Sequence, residues 1–191
     1  MAVLSWLPRG GKEKDKRLFL YNEGNECASV TGGWYIPSVY SSGYYCDLAN
    51  LSYGTRTVQK NADHMYIKVT CHTKGMIIQG SLNATNQVNL TDFSKLCVEH
   101  TVNAESGTGT AQNFNISVMS ITPSKVSTAS NSNYYGNKLA NRNASSGNRL
   151  VTELDISNVT GNAYVHLTCL LYSETTANVY ANAKIHKVWL E

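Results

Sequence analysis

The clearest pattern in this chain is a two-residue alternation of apolar and polar positions in its last third. Between Asn162 and Tyr172 every second residue is apolar, namely Ala163, Val165, Leu167, Cys169 and Leu171. This period places one face of a β-strand against a core and the other face away from it. A second alternation runs from Leu150 to Ile156, and the turn-forming sequence SNVTGN separates the two. The pattern predicts two strands joined as a hairpin.

The same period recurs along the rest of the chain. It predicts further strands at 18–21, 64–72, 76–82, 96–102, 114–118 and 179–190. The strand at 76–82 is expected to pair with the one at 64–72, and His100 falls in the apolar phase of its strand. The phase shifts after Val118 and again near His186 and Lys187, as a β-bulge would cause. Since no useful stretch has a helical period, the predicted fold is all-β, an antiparallel β-sandwich of the jelly-roll type.

Two segments lack this pattern. Residues 1–17 combine a small apolar cluster with a charged run and are predicted to form an extended N-terminal arm, either a flexible tail or an assembly contact. The assembly candidates in this arm are Trp6, Leu7 and Arg9. Residues 124–148 are rich in Ser, Asn and Gly and predict a long loop. The remaining chain, 18–191, is expected to form a single β-sandwich domain.

Composition narrows the possible partners. Charged residues make up 15% of the chain and the net charge is +3, which is concentrated in the arm. Nucleic-acid binding is therefore not expected. No stretch approaches the roughly 20 apolar residues of a membrane-spanning helix, so no membrane partner is expected either.

The five cysteines are odd in number and form no close pair. Cys71, Cys97 and Cys169 lie within predicted strands, which favours buried free thiols in a reducing compartment. The first residues have too few apolar positions, in the wrong order, for a signal peptide. We therefore expect synthesis in a bacterial cytoplasm.

No catalytic or nucleotide-binding motif is present, so an enzyme is not expected. His64 and His72 lie too far apart along one strand to bind a common metal ion. The acidic residues that a calcium site would need are scattered through the chain, at Asp47, Asp63, Asp92 and Asp155. No cofactor is expected, and a structural calcium ion is the one alternative left open.

Aromatic and amide side chains in turn-rich segments favour sugar binding, because a pyranose ring stacks on a flat ring while amides and arginine bind its hydroxyl groups. The candidates are Trp34, Tyr35, Tyr40, Tyr44, Tyr45, Tyr134, Tyr135, Asn137 and Arg142. The alternative is that Trp34 and some of these tyrosines belong to the sandwich core or to a subunit interface.

Three segments resemble minor structural proteins of tailed bacteriophages and prophages: LYNEGNECASVTGGW at 20–34, LDISNVTGNAYVHL at 154–167 and AKIHKVWLE at 183–191. They look like the galactose-binding-like jelly-roll modules of phage tails and baseplates, and more distantly like carbohydrate-binding modules. The resemblance implies a virion component that docks to other virion proteins through its arm, and often an oligomer.

Two functions are therefore predicted. The first is a non-enzymatic virion structural protein, located in the virion, whose jelly roll decorates the particle or takes part in host attachment. The second is a carbohydrate-binding module that recognises a bacterial surface polysaccharide. The two predictions differ in whether the tyrosine-rich loops contact a neighbouring subunit or a glycan.

Overall fold

The structure is a computed structural model that describes residues 17–36, 45–46, 54–73, 77–104, 110–120, 138–173 and 179–191. The strands are β1 (Leu18–Asn22), β2 (Trp34–Tyr35), β3 (Tyr45–Cys46), β4 (Gly54–Lys60), β5 (Met65–Cys71), β6 (Ile77–Ala84), β7 (Val88–Asn89), β8 (Lys95–Ala104), β9 (Thr110–Met119), β10 (Lys138–Ala144), β11 (Gly147–Asp155), β12 (Asn162–Ser173) and β13 (Val179–Leu190). A single helical turn, α1 (Ala28–Thr31), lies between β1 and β2. The predicted arm lies outside the described residues.

The strands form two sheets that pack face to face. The first sheet has the order β11-β8-β13-β5-β4, with β1 also paired to β13. The second has the order β10-β9-β12-β6-β2, with β3 paired to β6 and β7 paired to β12. The pairs are antiparallel except for β3 with β6. The predicted all-β sandwich is confirmed.

The core lies between the two sheets and is filled by the apolar phase of each strand. On β12, each of the five apolar residues from Ala163 to Leu171 is buried. Leu167 lies opposite Ile116 of β9 and Leu82 of β6, so one apolar row crosses three strands. Gly80 lies in the same phase, and a Cβ at this position would come within 2.8 Å of Ile67 Cγ2 of the facing sheet. A side chain there would overfill the core.

The predicted hairpin and the predicted pairing of 76–82 with 64–72 are both wrong, although the strands themselves are confirmed. β11 pairs with β8 in the first sheet, whereas β12 pairs with β6 and β9 in the second. In the same way β5 belongs to the first sheet and β6 to the second. The connections therefore cross from sheet to sheet. Alternation determines which face of a strand is buried but carries no information about its partner.

The predicted loop at 124–148 is wrong in its last part, where 138–144 form β10 and 147–148 begin β11. Both are edge strands, and their side chains are largely exposed or half-buried. An edge strand with so little buried surface lacks the apolar phase by which strands are recognised in a sequence. Residues 121–137 lie outside the described residues.

The bulge expected near His186 and Lys187 is confirmed, because the register between β13 and β8 shifts between Ile185 and Lys187. His100 is fully buried, as its phase predicted. In the part of the chain that the structure describes, no helix has the length and apolarity needed to span a membrane.

Candidate functional site

Trp34 lies in the core rather than on the surface. Its side chain is 2% exposed, and the indole Nε1 donates to the carbonyl oxygen of Leu20 at 3.3 Å. A ring buried to this extent has no face free for a sugar, so Trp34 is not a stacking platform and the alternative, a place in the sandwich core, is correct. The cause is its register, since Trp34 lies opposite Ala84 on the core side of β6.

Tyr35, the next residue, lies on the outer side of the second sheet. It is half-buried, and its hydroxyl accepts a hydrogen bond from Asn83 Nδ2 at 3.3 Å. The backbone of Tyr45 pairs with that of Ile77. Eight of the other candidate residues lie outside the described residues, namely Trp6, Leu7, Arg9, Tyr40, Tyr44, Tyr134, Tyr135 and Asn137.

The outer side of the second sheet carries a set of buried polar side chains, which we call the polar face. Its members are Gln79, Ser81, Asn83, Asn115, Ser117, His166 and Thr168, and each is at most 9% exposed. Hydrogen bonds join several of them, both across strands and within one strand. Ser81 Oγ lies 3.3 Å from Thr168 Oγ1, and Thr168 Oγ1 lies 2.9 Å from His166 Nε2. Sequence reasoning assigned these positions to the polar phase and missed their burial.

Burial determines the charge on this face. It lowers the pKa of His166 to about 3, with a smaller effect from the charge on Lys138, so the imidazole is neutral at physiological pH. Burial also lowers the pKa of Lys138 to about 8. Lys138 Nζ donates to Asn115 Oδ1 at 2.7 Å. The polar face thus carries the positive charge of Lys138 at its β10 edge, whereas His166 at its centre is neutral.

The contact with Lys138 determines how three amides are oriented. An ammonium group can only donate, so it requires the oxygen of Asn115 on its side and leaves Nδ2 of Asn115 as a donor. That nitrogen donates to Asn143 Oδ1 at 2.8 Å and approaches Asn141 Oδ1 at 3.4 Å. The oxygen of Asn143 is therefore used within the sheet. Its NH₂ group remains as a donor at the exposed edge.

A cleft of about 320 Å³ opens where the edges of the two sheets meet, between β10 and β11. We call it the edge cleft. Its lining consists of Arg142, Asn143, Ser145, Leu150, Val151, Thr152 and Glu153. Leu150 and Val151 are 39% and 49% exposed, which gives the cleft an apolar surface beside its polar groups. Its volume is at the lower end of the range of small-molecule sites.

Arg142 is the predicted candidate that the structure places in this cleft. It lies opposite Ile116, so its side chain extends toward the opening between the sheets rather than onto the polar face. Arg142 Nη1 donates to the backbone carbonyl oxygen of Glu153 at 2.8 Å. This bond links β10 to β11 and holds one side of the guanidinium group in place.

The carboxylate of Glu153 is neutralised on the other side of β11. It accepts from Lys95 Nζ at 2.8 Å, and this contact raises the pKa of Lys95. Lys95 also lies 3.9 Å from a carboxylate oxygen of Glu191. Glu153 therefore contributes a backbone carbonyl to Arg142, while its charge is paired with Lys95.

Cys97, Glu153 and Glu191 bring a thiol and two carboxylates within 4.8 Å of one another, an arrangement that can be compared with metal sites. Burial, followed by the two carboxylates, raises the pKa of Cys97 to about 12, so the sulfur is protonated. A metal ligand would be the thiolate. Lys95 already supplies the positive charge that these carboxylates attract, so the cluster is read as an ion pair beside a buried thiol.

A second polar cluster joins Thr101 and His186 on the outer side of the first sheet. Thr101 Oγ1 lies 3.1 Å from His186 Nε2, a distance compatible with an activated hydroxyl. However, the hydroxyl donates to Asn148 Oδ1 at 3.0 Å and accepts from the backbone N–H of Arg149. Its proton is directed away from His186, so this histidine does not act as its base.

Comparisons with known proteins gave resemblances between structures alone. Neither protein-family models nor curated protein sequences gave a significant match. The glycoside hydrolase domain of Endo-D from Streptococcus pneumoniae R6 is similar over 72% of this chain and 20% of its own, with 12% identity and a TM-score of 0.41. The chain thus spans about a fifth of that structure.

The carbohydrate-binding module TmCBM27, described for its specific mannan recognition, is similar over 92% of this chain and 99% of its own. The identity is 8% and the TM-score is 0.45. With both TM-scores below 0.5, these resemblances do not bear on what this chain binds. Neither structure is described as a phage protein, and the virion role stays a prediction.

Proposed function

We propose that this protein is a non-enzymatic carbohydrate-binding β-sandwich and that the edge cleft binds the glycan. The observation that carries the proposal is that two exposed aliphatic residues, Leu150 and Val151, line the same concave site as Arg142. Of the two functions predicted from the sequence, this arrangement favours glycan recognition.

The chemistry of a sugar ring matches this lining. A pyranose has an apolar face of C–H groups and a rim of hydroxyl groups, so its site needs apolar surface and hydrogen-bonding groups side by side. Leu150 and Val151 take the place that aromatic rings were expected to fill. Arg142 supplies donors for hydroxyl or ring oxygens.

The proposal can be tested by affinity electrophoresis of the purified protein in gels that contain β-glucan, xylan, galactomannan, pectin or polygalacturonate. We expect at least one polysaccharide to retard the protein. In Arg142→Ala the affinity should fall by about tenfold or more, because a hydrogen bond from a charged group is worth about 1.5–3 kcal/mol. Val151→Ser should also weaken binding, since it removes apolar contact.

Ile36→Ser is the matched control. Ile36 is 42% exposed, similar to Val151, but it lines a different cleft with Arg56, Thr57, Val58 and Gln59. This variant should bind as the unmodified protein does. Retardation by no polysaccharide would refute the proposed function. A loss of binding in Ile36→Ser, with Val151→Ser unaffected, would refute the edge cleft as the site.

A further inference from the structure

We propose that the edge cleft selects a glycan that contains uronic acid, with Arg142 binding the sugar carboxylate. This inference rests on the proposed function, since it concerns the ligand of the same site. It names the class of sugar that the charges around the cleft favour.

The first step concerns the charge of Arg142. In the part of the chain that the structure describes, several other basic side chains have acidic partners. Arg149 contacts carboxylate oxygens of Glu23 and Glu99 at 2.7 and 2.6 Å, and Lys95 contacts that of Glu153. Arg142 instead donates to the neutral carbonyl oxygen of Glu153. Its positive charge has no carboxylate partner among these residues.

The second step concerns the acidic residue of the cleft itself. A free carboxylate beside Arg142 would repel an anionic ligand. The side chain of Glu153 is bonded to Lys95 at 2.8 Å, so the pair is neutral as a whole. Thr152 Oγ1 is already bonded to His100. The other lining residues, Asn143, Ser145, Leu150 and Val151, carry no negative charge. The cleft therefore carries the charge of Arg142.

The third step concerns the balance of donors and acceptors. A guanidinium group donates only, and its planar fork matches the two oxygens of a carboxylate. A ligand that supplies only acceptors at this point, as a carboxylate does, satisfies the guanidinium group better than a hydroxyl group does.

A polysaccharide that can be made charged or neutral without changing its backbone gives the sharpest test. Binding to polygalacturonate is compared with binding to its methyl-esterified form by isothermal titration calorimetry. We expect the acid form to bind about tenfold or more tightly, the effect of one charge-assisted bidentate contact. Added salt should weaken binding of the acid form and leave the ester unaffected.

Variants assign the effect to Arg142. In Arg142→Gln the two forms should bind equally, whereas Arg142→Lys should keep part of the preference, because it retains the charge but loses the fork. The control is Lys184→Gln, which makes the same change in net charge at an exposed position on β13 outside the cleft lining. It should retain the full preference. Dextran sulfate serves as an anion of different geometry and should bind less tightly than polygalacturonate.

The outcomes separate this inference from the proposed function. Equal binding of acid and ester forms, with binding still lost in Val151→Ser, overturns the carboxylate preference and leaves glycan binding at the cleft intact. An acid preference that survives Arg142→Gln, or is lost in Lys184→Gln, makes it an effect of net charge and also overturns the inference. Tighter binding of dextran sulfate overturns it in favour of a general anion site. Failure of every polysaccharide to bind refutes both proposals.

Discussion

The buried histidine His100 should make the protein less stable as the pH falls below 6.5. Its side chain is 0% exposed, Nε2 is bonded to Thr152 Oγ1 at 2.8 Å, and Nδ1 is buried without a hydrogen-bond partner. Burial, with a smaller effect from His186, lowers its pKa from 6.5 to about 4. The fold therefore favours the neutral ring.

The sign and size of the effect follow from proton linkage. Between pH 6.5 and about 4 the unfolded chain binds a proton at His100 and the folded protein does not, so acid favours unfolding. Each such histidine lowers the free energy of unfolding by about 1.4 kcal/mol per pH unit below 6.5. His166, whose pKa is lowered to about 3, acts in the same direction. At pH 5 the two together cost about 4 kcal/mol, a large part of the stability of an ordinary domain.

Urea unfolding followed by tryptophan fluorescence at pH 7.5 and pH 5.0 measures this loss, with His100→Gln as the test variant. Glutamine keeps a donor for Thr152 and removes the titrating group. The loss between the two pH values should be about 2 kcal/mol smaller in His100→Gln than in the unmodified protein. The carboxylate contributions are shared by both proteins and cancel. Equal losses would show that His100 takes up its proton in the folded state and would refute the reasoning.

Two further predictions concern buried side chains. Trp34→Ala should lower the free energy of unfolding by about 3–5 kcal/mol, measured by urea unfolding, because the ring lies in the core; a loss below about 1 kcal/mol would place the ring at the surface. Peptides that contain Cys71, Cys97 or Cys169 should remain unmodified in mass spectra after a short pulse of iodoacetamide at pH 8, because their thiols are buried. They should become labelled in urea, which exposes the thiols. Rapid labelling of any of the three in the native protein would contradict its burial.

The sequence analysis predicted the strands correctly where one face of the strand is buried in the core and the other is polar. The apolar phase of β12, the burial of His100 on β8 and the bulge between Ile185 and Lys187 on β13 were all predicted from alternation, and all are present. Cys169 belongs to the apolar phase of β12, so its burial was predicted by the same alternation. Local periodicity carries this information because side chains on a strand alternate between two faces.

The candidate site was predicted less well. Arg142 was singled out from its neighbourhood in a polar segment, and the structure places it in the edge cleft. Leu150 and Val151 were missed as site residues, because two adjacent apolar residues at the start of a strand give no sign that both are exposed. Trp34 was a sugar-stacking candidate with the core as its alternative, and its register with Ala84 places it in the core.

The sequence by itself thus determined that the chain is a β-sandwich and which face of most strands is buried. The tertiary structure decided three other things: which strands pair, that the polar face of the second sheet is buried, and that β10 and β11 meet at an open edge. Strand partners and sheet edges depend on contacts between distant residues, for which a two-residue period contains no signal. A polar side chain that is buried and hydrogen-bonded, such as Ser117, has the same sequence pattern as one in water, and only the packing around it distinguishes the two.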